Sequence, residues 1–90
     1  MIAGNKVMMF SKSYCPFCDQ AKQVIQGYNA KFAAYELDKE GDGSAIQNEL
    51  KSMTGQRTVP NIFINGEHVG GCDDLKAKHS SGELKGLLEA

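Results

Sequence analysis

The chain has 90 residues, enough for one hydrophobic core, so we expect a single domain over residues 1–90. Its net charge of −1 argues against a nucleic-acid partner or an anionic membrane surface. No segment approaches the ~20 apolar residues that span a bilayer. Three cysteines are too few for a disulfide-stapled secreted domain, which favours a reducing compartment. We expect the cytoplasm, or an organelle if a targeting peptide has been removed.

The first part of the chain has the pattern of a β-α-β unit. An unbroken apolar segment at residues 7–10 predicts a strand over residues 6–12 that is covered on both faces. A helix is predicted from Pro16 to about Gly27, and residues 31–38 predict a second strand. Two strands joined through a helix are expected to run parallel, with a right-handed crossover. The apolar face predicted for the helix contains Phe17, Ala21, Val24, Ile25 and Tyr28.

A second helix is predicted after the polar turn of residues 39–43. Gly55 is expected to end this helix, because glycine readily adopts the left-handed conformation found after helices. Ser44 and Gln47 match a capping box at the beginning of the helix. Ile46, Leu50 and Met53 would lie on one face of this helix.

The pair Asn65-Gly66 is the strongest short turn signal in the chain. It lies between two apolar segments, and Asn-Gly suits a two-residue turn in which both residues have positive φ. The sequence therefore predicts a β-hairpin made of strands 61–64 and 67–70.

Two helices are predicted after the hairpin. Asp73 and Asp74 would bring negative charge to the positive end of a third helix. Ser80 and Glu83 match a second capping box, which would open a final helix burying Leu84, Leu87 and Leu88. The complete order is β-α-β-α-β-β-α-α, which predicts an α/β fold with a four-stranded mixed sheet flanked by helices.

Cys15 and Cys18 lie between the first predicted strand and the first predicted helix. A Cys-x-x-Cys pair in that setting is typical of thiol–disulfide chemistry. Pro16 suits the first position of a helix, so Cys15 would lie at the N-cap, beside unpaired N–H groups that favour a thiolate. Cys18 follows one turn later on the same face. We therefore predict that Cys15 is the nucleophile and Cys18 the resolving cysteine.

Three motifs occur here in the order and spacing of the dithiol (class I) glutaredoxins, and the chain resembles that family over nearly its whole length. The motifs are Cys15-Pro16-Phe17-Cys18, Thr58-Val59-Pro60 and Gly70-Gly71-Cys72-Asp73-Asp74. The resemblance extends to Gly55-Gln56-Arg57 and to the Asn-Gly hairpin. Phe17 replaces the tyrosine that is usual in the family, which removes a hydroxyl. The resemblance implies a thioredoxin fold in which Pro60 is cis and faces the cysteines.

The resemblance also implies glutathione as co-substrate, with no metal. The residues that it implies for glutathione binding are Lys12, Phe17, Gln47, Arg57, Thr58, Val59, Pro60, Gly71, Cys72, Asp73 and Asp74. The cysteine of glutathione would lie at Cys15, and Val59 would pair with the glutathione backbone. At Cys72 we expect only the backbone to matter, not the thiol.

The two ends of glutathione would meet different groups. The resemblance implies that Lys12, Gln47 and Arg57 contact the glycine carboxylate, although Gln47 is equally suited to the capping box alone. Backbone N–H groups at the start of the third helix would hold the α-carboxylate of the γ-glutamyl end. Either Asp73 or Asp74 would take the ammonium group, and the sequence leaves that choice open.

These features predict a monomeric, glutathione-dependent thiol–disulfide oxidoreductase. It would reduce protein–glutathione mixed disulfides with Cys15 alone and protein disulfides with Cys15 and Cys18. One alternative is an iron–sulfur cluster held by Cys15 and glutathione in a dimer, and another is a thioredoxin-like reductant. A third alternative is a zinc site in which Cys72, His68 and His79 complete the cysteine pair.

Overall fold

The computed structural model describes residues 2–89, which form a four-stranded mixed sheet and four helices. The elements are β1 (Val7–Ser11), α1 (Pro16–Gln26), β2 (Ala33–Glu36), α2 (Gly43–Thr54), β3 (Asn61–Ile64), β4 (Glu67–Gly70), α3 (Cys72–Ser81) and α4 (Glu83–Glu89). The predicted order of strands and helices is confirmed. Both strands of the β-α-β unit are shorter than predicted, and β2 has only four residues.

The sheet has the strand order β2-β1-β3-β4, so β1 is a central strand. It pairs in parallel with β2 and antiparallel with β3, as expected for a β-α-β unit extended by a hairpin. The hairpin turn has Asn65 at φ 53° and Gly66 at φ 82°, the conformations that the Asn-Gly signal predicts.

Two apolar clusters cover the two faces of the sheet. On one face, Val7 and Met9 of β1 pack with residues of α1, α3 and α4, including Ile25 and Leu84. On the other face, the alternate β1 residues Met8 and Phe10 pack with Phe63 of β3 and with α2. The prediction that the first strand is buried on both sides is therefore confirmed. Within residues 2–89, no helix is long and apolar enough to cross a membrane.

Two side chains on the predicted apolar helix faces are exposed. Phe17 is 57% exposed and Met53 is 58% exposed. Phe17 lies in the first turn of α1 and Met53 in the last turn of α2. The remaining predicted helix positions are buried or partly buried, with Ala21 and Ile25 fully inaccessible.

The capping box predicted at Ser44 and Gln47 is not formed. The N-cap of α2 is Asp42, whose carboxylate accepts a hydrogen bond from the Tyr35 hydroxyl and caps no backbone N–H group. Gly43 begins the helix because it lies against the carbonyl oxygen of Leu37, where a Cβ atom would come within 1.9 Å. The helix therefore starts one residue before Ser44, which rules out the predicted capping geometry.

The capping box predicted at Ser80 and Glu83 is also wrong. Ser80 lies inside α3, which continues to Ser81 and ends at Gly82. Gly82 has φ 85°, a left-handed conformation that glycine adopts without steric cost, and α4 begins at the next residue. The hydroxyl of Ser81 accepts a hydrogen bond from the Glu83 N–H at 3.3 Å instead.

Candidate active site

Cys15 is the N-cap residue of α1, as the sequence predicts. Its backbone is extended, with φ −98° and ψ 109°, and Pro16 follows at the first helical position. The Cys18 N–H donates a hydrogen bond to Cys15 Sγ at 3.1 Å. The sulfur atom therefore lies against the first N–H groups of the helix. The Cys15 N–H in turn donates to the Lys12 carbonyl at 3.1 Å, which closes the turn between β1 and α1.

Cys18 has very different surroundings. Its side chain is completely inaccessible to solvent, whereas Cys15 is 9% exposed. Burial and the neighbouring Cys15 sulfur raise the pKa of Cys18 to about 12, although the positive charge of Lys22 acts in the opposite direction. At neutral pH Cys18 is therefore a neutral thiol beneath the more accessible Cys15.

The loop before β3 faces Cys15. The Val59-Pro60 peptide bond is cis, as the family resemblance implies. The carbonyl oxygen of Val59 lies 4.0 Å from Cys15 Sγ. Nε2 of Gln56 donates hydrogen bonds to the carbonyl oxygens of Thr58 at 3.1 Å and Pro60 at 2.9 Å. These bonds hold the loop on both sides of the cis peptide.

Gln56 is a site residue that sequence reasoning did not single out. It borders the groove in front of Cys15, and its amide holds the loop that forms one wall. The available signal was its position two residues before Thr58, in a stretch already matched to the family. That signal shows proximity in the chain, but it does not show that the side chain turns back onto the loop.

A groove of about 400 Å³ lies between the cis-proline loop, the start of α1 and the start of α3. Its walls are formed by Phe17, Gln56, Thr58, Val59, Pro60, Gly71, Cys72, Asp73 and Asp74. The structure therefore brings together all of the residues predicted for glutathione binding except Lys12, Gln47 and Arg57. Phe17 lines this groove, which accounts for the exposure of its side chain.

Lys12, Gln47 and Arg57 do not line the groove, but each is linked to it by its position in the chain or by a hydrogen bond. Lys12 is half-buried, and its backbone carbonyl binds the N–H of Cys15. Arg57 is exposed and directly precedes Thr58. Nε2 of Gln47 donates a hydrogen bond to the Arg57 carbonyl at 2.6 Å. Gln47 therefore links α2 to the loop, a contact that neither its predicted capping role nor its predicted ligand role includes.

The two aspartates at the start of α3 have separate positions. Oδ2 of Asp74 accepts a hydrogen bond from the Gly71 N–H at 3.1 Å, so Asp74 caps the helix. Gly70 has φ 123°, and a Cβ atom there would come within 2.2 Å of the same carboxylate oxygen. The carboxylate of Asp73 is exposed at the groove. Cys72 directly precedes the two aspartates, and burial raises the pKa of its thiol, which favours the neutral form.

The alternative zinc site is not assembled in the part of the chain that the structure describes. Over residues 2–89, no three or more His, Cys, Asp or Glu side chains are grouped so that they could hold a metal ion. Nε2 of His68 forms a hydrogen bond with Oδ1 of Asn61 at 2.9 Å. Nδ1 of His79 pairs with the Tyr28 hydroxyl. Both histidines are thus engaged away from the cysteine pair.

Comparison with known proteins agrees with this arrangement of thiols and groove. The family model for glutaredoxin matches residues 7–69. The chain belongs to the glutaredoxin family. A glutaredoxin of Ricinus communis is 52% identical over 88 residues, which cover 98% of this chain and 86% of the relative. The family is one of oxidoreductases, so the chain is an enzyme of that class.

Solved glutaredoxin structures have the same fold. The holo form of glutaredoxin C1 from Populus tremula x tremuloides superposes with a TM-score of 0.95 at 42% identity, over 98% of this chain and 87% of that chain. A buckwheat glutaredoxin–glutathione complex superposes with a TM-score of 0.96 at 45% identity, over 98% and 80% of the two chains. The thioredoxin fold predicted from the motifs is therefore confirmed.

Proposed function

We propose that the chain reduces protein–glutathione mixed disulfides through Cys15 and protein disulfides through Cys15 together with Cys18. The observation that carries this proposal is the contrast between the two thiols. Cys15 Sγ accepts a backbone hydrogen bond at 3.1 Å beside an open groove, while Cys18 is completely buried. The buckwheat relative, whose crystal structure is a complex with glutathione, supports glutathione as the co-substrate.

The single-thiol route needs only Cys15 and glutathione. The Cys15 thiolate attacks the glutathione sulfur of the mixed disulfide, and the protein thiolate leaves and takes up a proton. Glutathione is then bound to Cys15 through a disulfide. A second glutathione thiolate attacks the glutathione sulfur of that disulfide, which releases oxidised glutathione and the Cys15 thiolate. Groups that stabilise the thiolate assist both steps, because Cys15 is the nucleophile first and the leaving group second.

The γ-glutamyl end of glutathione fits the start of α3. Free backbone N–H groups at Cys72 and Asp73 suit its α-carboxylate. Asp73 suits its ammonium group, because the Asp74 carboxylate is already bound to the Gly71 N–H. The hydrogen bond of Asp74 therefore favours Asp73 as the partner of the ammonium group, a choice that the sequence left open.

The remainder of glutathione would lie along the cis-proline loop. The backbone of Val59 suits pairing with an extended peptide, which leaves the cysteine of glutathione at Cys15. Lys12 and Arg57 are the cations near the opposite end and suit the glycine carboxylate, with Arg57 able to form a bidentate pair. Gln47 contributes by holding the carbonyl of Arg57.

The dithiol route adds the buried cysteine. Cys15 attacks a protein disulfide and forms a mixed disulfide with one of its sulfurs. Cys18 loses its proton and attacks Cys15 Sγ, which forms the Cys15–Cys18 disulfide and releases the substrate thiol. Two glutathione molecules then reduce the enzyme and leave as oxidised glutathione.

The test is a pair of serine variants with a matched cysteine control. Cys15→Ser is expected to lose both activities, measured with glutathione and glutathione reductase. Cys18→Ser is expected to retain turnover of the cysteine–glutathione mixed disulfide and to lose reduction of protein disulfides. Cys72→Ser is the control and is expected to retain both activities. If Cys18→Ser loses turnover of the small mixed disulfide, the single-thiol route is wrong.

A second candidate is the binding of an iron–sulfur cluster in a dimer, with thiolates from Cys15 and glutathione. One observation favours it, since the poplar relative was solved in a holo form. Residues 2–89 contain no group of three or more ligands, so the chain would need ligands from outside itself. Anaerobic purification with iron analysis distinguishes the candidates. Bound iron in a dimer supports the second, and an iron-free, fully active enzyme supports the first.

A further inference from the structure

Ser11, Lys22 and Glu36 form a partly buried polar cluster, in which Lys22 belongs to the active-site helix α1. Nζ of Lys22 lies 2.6 Å from Oε1 of Glu36, and the hydroxyl of Ser11 donates to the same oxygen at 2.7 Å. Ser11 is completely buried, and the Lys22 and Glu36 side chains are only 21% and 24% exposed. Each residue comes from a different element, namely β1, α1 and β2.

Desolvation limits what this polar cluster contributes to stability. Burial acts to lower the pKa of Lys22, and chiefly its contacts with Glu36 reverse that effect, so the pKa is raised. An ion pair in such a site typically adds little net stability. The second carboxylate oxygen of Glu36 is buried, and no hydrogen-bond partner is found for it within the described part of the chain. A gain in stability therefore explains the polar cluster poorly. An effect of the Lys22 ammonium group on a neighbouring residue explains it better.

Lys22 connects the polar cluster to the resolving cysteine. It lies four residues after Cys18 on α1, which puts the two side chains on one helix face. The charged groups that act on Lys22 are Glu36, Asp19 and Cys18. Cys18 faces the Cys15 sulfur and the Lys22 charge. Burial and Cys15 oppose ionisation of Cys18, whereas a backbone hydrogen bond at Lys12 and, to a smaller extent, the charge of Lys22 favour it.

We propose that Lys22 is a positioning residue for the resolving step, because its ammonium group, held by Glu36, stabilises the Cys18 thiolate that attacks Cys15. This inference rests on the dithiol route proposed above. In that step Cys18 loses a proton, its sulfur bonds to Cys15 Sγ, and the substrate sulfur leaves and takes up a proton. Lys22 keeps its own proton and exchanges no electrons.

The experiment compares the resolving step with the single-thiol activity, which does not use Cys18. Cys15 is first loaded with glutathione, and the release of glutathione that accompanies formation of the Cys15–Cys18 disulfide is followed by rapid quenching. Lys22→Met removes the charge and keeps the length, and it is expected to slow this release about threefold, because a higher Cys18 pKa lowers the thiolate fraction more than it raises the nucleophilicity of the thiolate. Its turnover of the cysteine–glutathione mixed disulfide is expected to stay within twofold. Lys22→Arg is expected to restore the rate.

Glu36→Gln separates an electrostatic role from a purely structural one. It removes the negative charge that offsets Lys22, so its resolving step should be as fast as that of the wild type or faster. If the polar cluster only supports the fold, Lys22→Met and Glu36→Gln should both slow the step and lower the urea midpoint. Lys51→Met, at an exposed position of α2, is the matched control and should change neither quantity.

A pH profile adds a readout that folding defects do not move. In the Cys15→Ser background, the alkylation of Cys18 should require higher pH in Lys22→Met than with Lys22 intact. The inference fails if the Cys15–Cys18 disulfide forms at the wild-type rate in Lys22→Met. The dithiol route itself fails if Cys18→Ser still reduces protein disulfides, so the two failures are distinguishable.

Discussion

The buried Cys18 thiol links the chemistry of the site to the stability of the protein. Its pKa in the folded protein is about 12, against an ordinary value of 9.0, chiefly because burial disfavours the thiolate. Below pH 9 the thiol is neutral in both folded and unfolded chains, so its contribution to stability is fully present. Above pH 9 the unfolded chain ionises first, and that contribution is progressively lost until about pH 12.

We therefore predict that the stability advantage of the wild type over Cys18→Ala falls as pH rises. The difference in the free energy of unfolding should be constant from pH 6 to pH 8 and should shrink from pH 9 to pH 10.5. Urea denaturation under reducing conditions measures it. Ile25→Val, which truncates another fully buried side chain without a titrating group, should show a difference independent of pH. A constant difference for Cys18→Ala up to pH 10.5 would contradict the prediction.

Substitution of the two aspartates of α3 should affect different properties, chiefly glutathione binding at Asp73 and stability at Asp74. Asp74→Asn weakens the hydrogen bond to the Gly71 N–H and should lower the free energy of unfolding by about 1 kcal/mol. Asp73→Asn removes only a favourable charge at the helix dipole, so it should lower stability by no more than about 0.5 kcal/mol. It should weaken glutathione binding roughly fivefold, or about 1 kcal/mol. Titration of glutathione into the Cys15→Ser background, followed by NMR shifts, measures the affinity without covalent chemistry. Equal affinity losses in both variants would refute the separation.

The start of α2 depends on a close contact between two backbone segments. Gly43 is buried at its first position, and a Cβ atom there would lie 1.9 Å from the Leu37 carbonyl oxygen. Gly43→Ala should therefore destabilise the protein by about 1–3 kcal/mol, because α2 or the segment after β2 must move.

A second glycine provides the control for this prediction. A Cβ atom at Gly86, inside α4, meets nothing within 4 Å, so Gly86→Ala should stabilise the protein by about 0.5–1 kcal/mol. Thermal unfolding of the two variants should show midpoints displaced in opposite directions. A neutral effect of Gly43→Ala would mean that α2 is not held against Leu37 as described.

The helices also show which part of the structure the sequence could predict. Periodicity, Pro16 and the Asn-Gly turn indicate which elements exist, because these signals act over a few residues. Ser44 and Gln47 match the sequence pattern of a capping box. The start of α2 instead coincides with the close packing of Gly43 on Leu37. That packing joins parts of the chain that local patterns cannot relate.

The same limit applies to the site. Cys15 at the start of a helix was predictable, since Pro16 and the strand before it fix its place. The contact from Gln56 back to the cis-proline loop and the contact from Asp74 to Gly71 depend on side-chain direction. Both aspartates line the groove, and nothing in the spacing shows that Asp74 is the one whose carboxylate binds the Gly71 N–H.

On the scale of the whole molecule, the central strand makes the two apolar clusters depend on each other. Successive residues of β1 contribute to opposite clusters, with Met9 on one face and Phe10 on the other. Neither cluster can lose its β1 side chains without moving the strand that supports the other. The active-site turn follows this strand directly, so the position of Cys15 depends on both clusters.

We predict that the two clusters unfold in one cooperative transition, which tyrosine fluorescence can test because the chain has no tryptophan. Tyr28 packs against one cluster and Tyr35 against the other, whereas Tyr14 is 71% exposed. The variant Tyr14→Phe/Tyr35→Phe reports on the first cluster, and Tyr14→Phe/Tyr28→Phe on the second. Within each variant, fluorescence and far-UV circular dichroism should give the same urea midpoint. If fluorescence changes at lower urea than circular dichroism in either variant, that cluster unfolds separately and β1 does not couple the two faces.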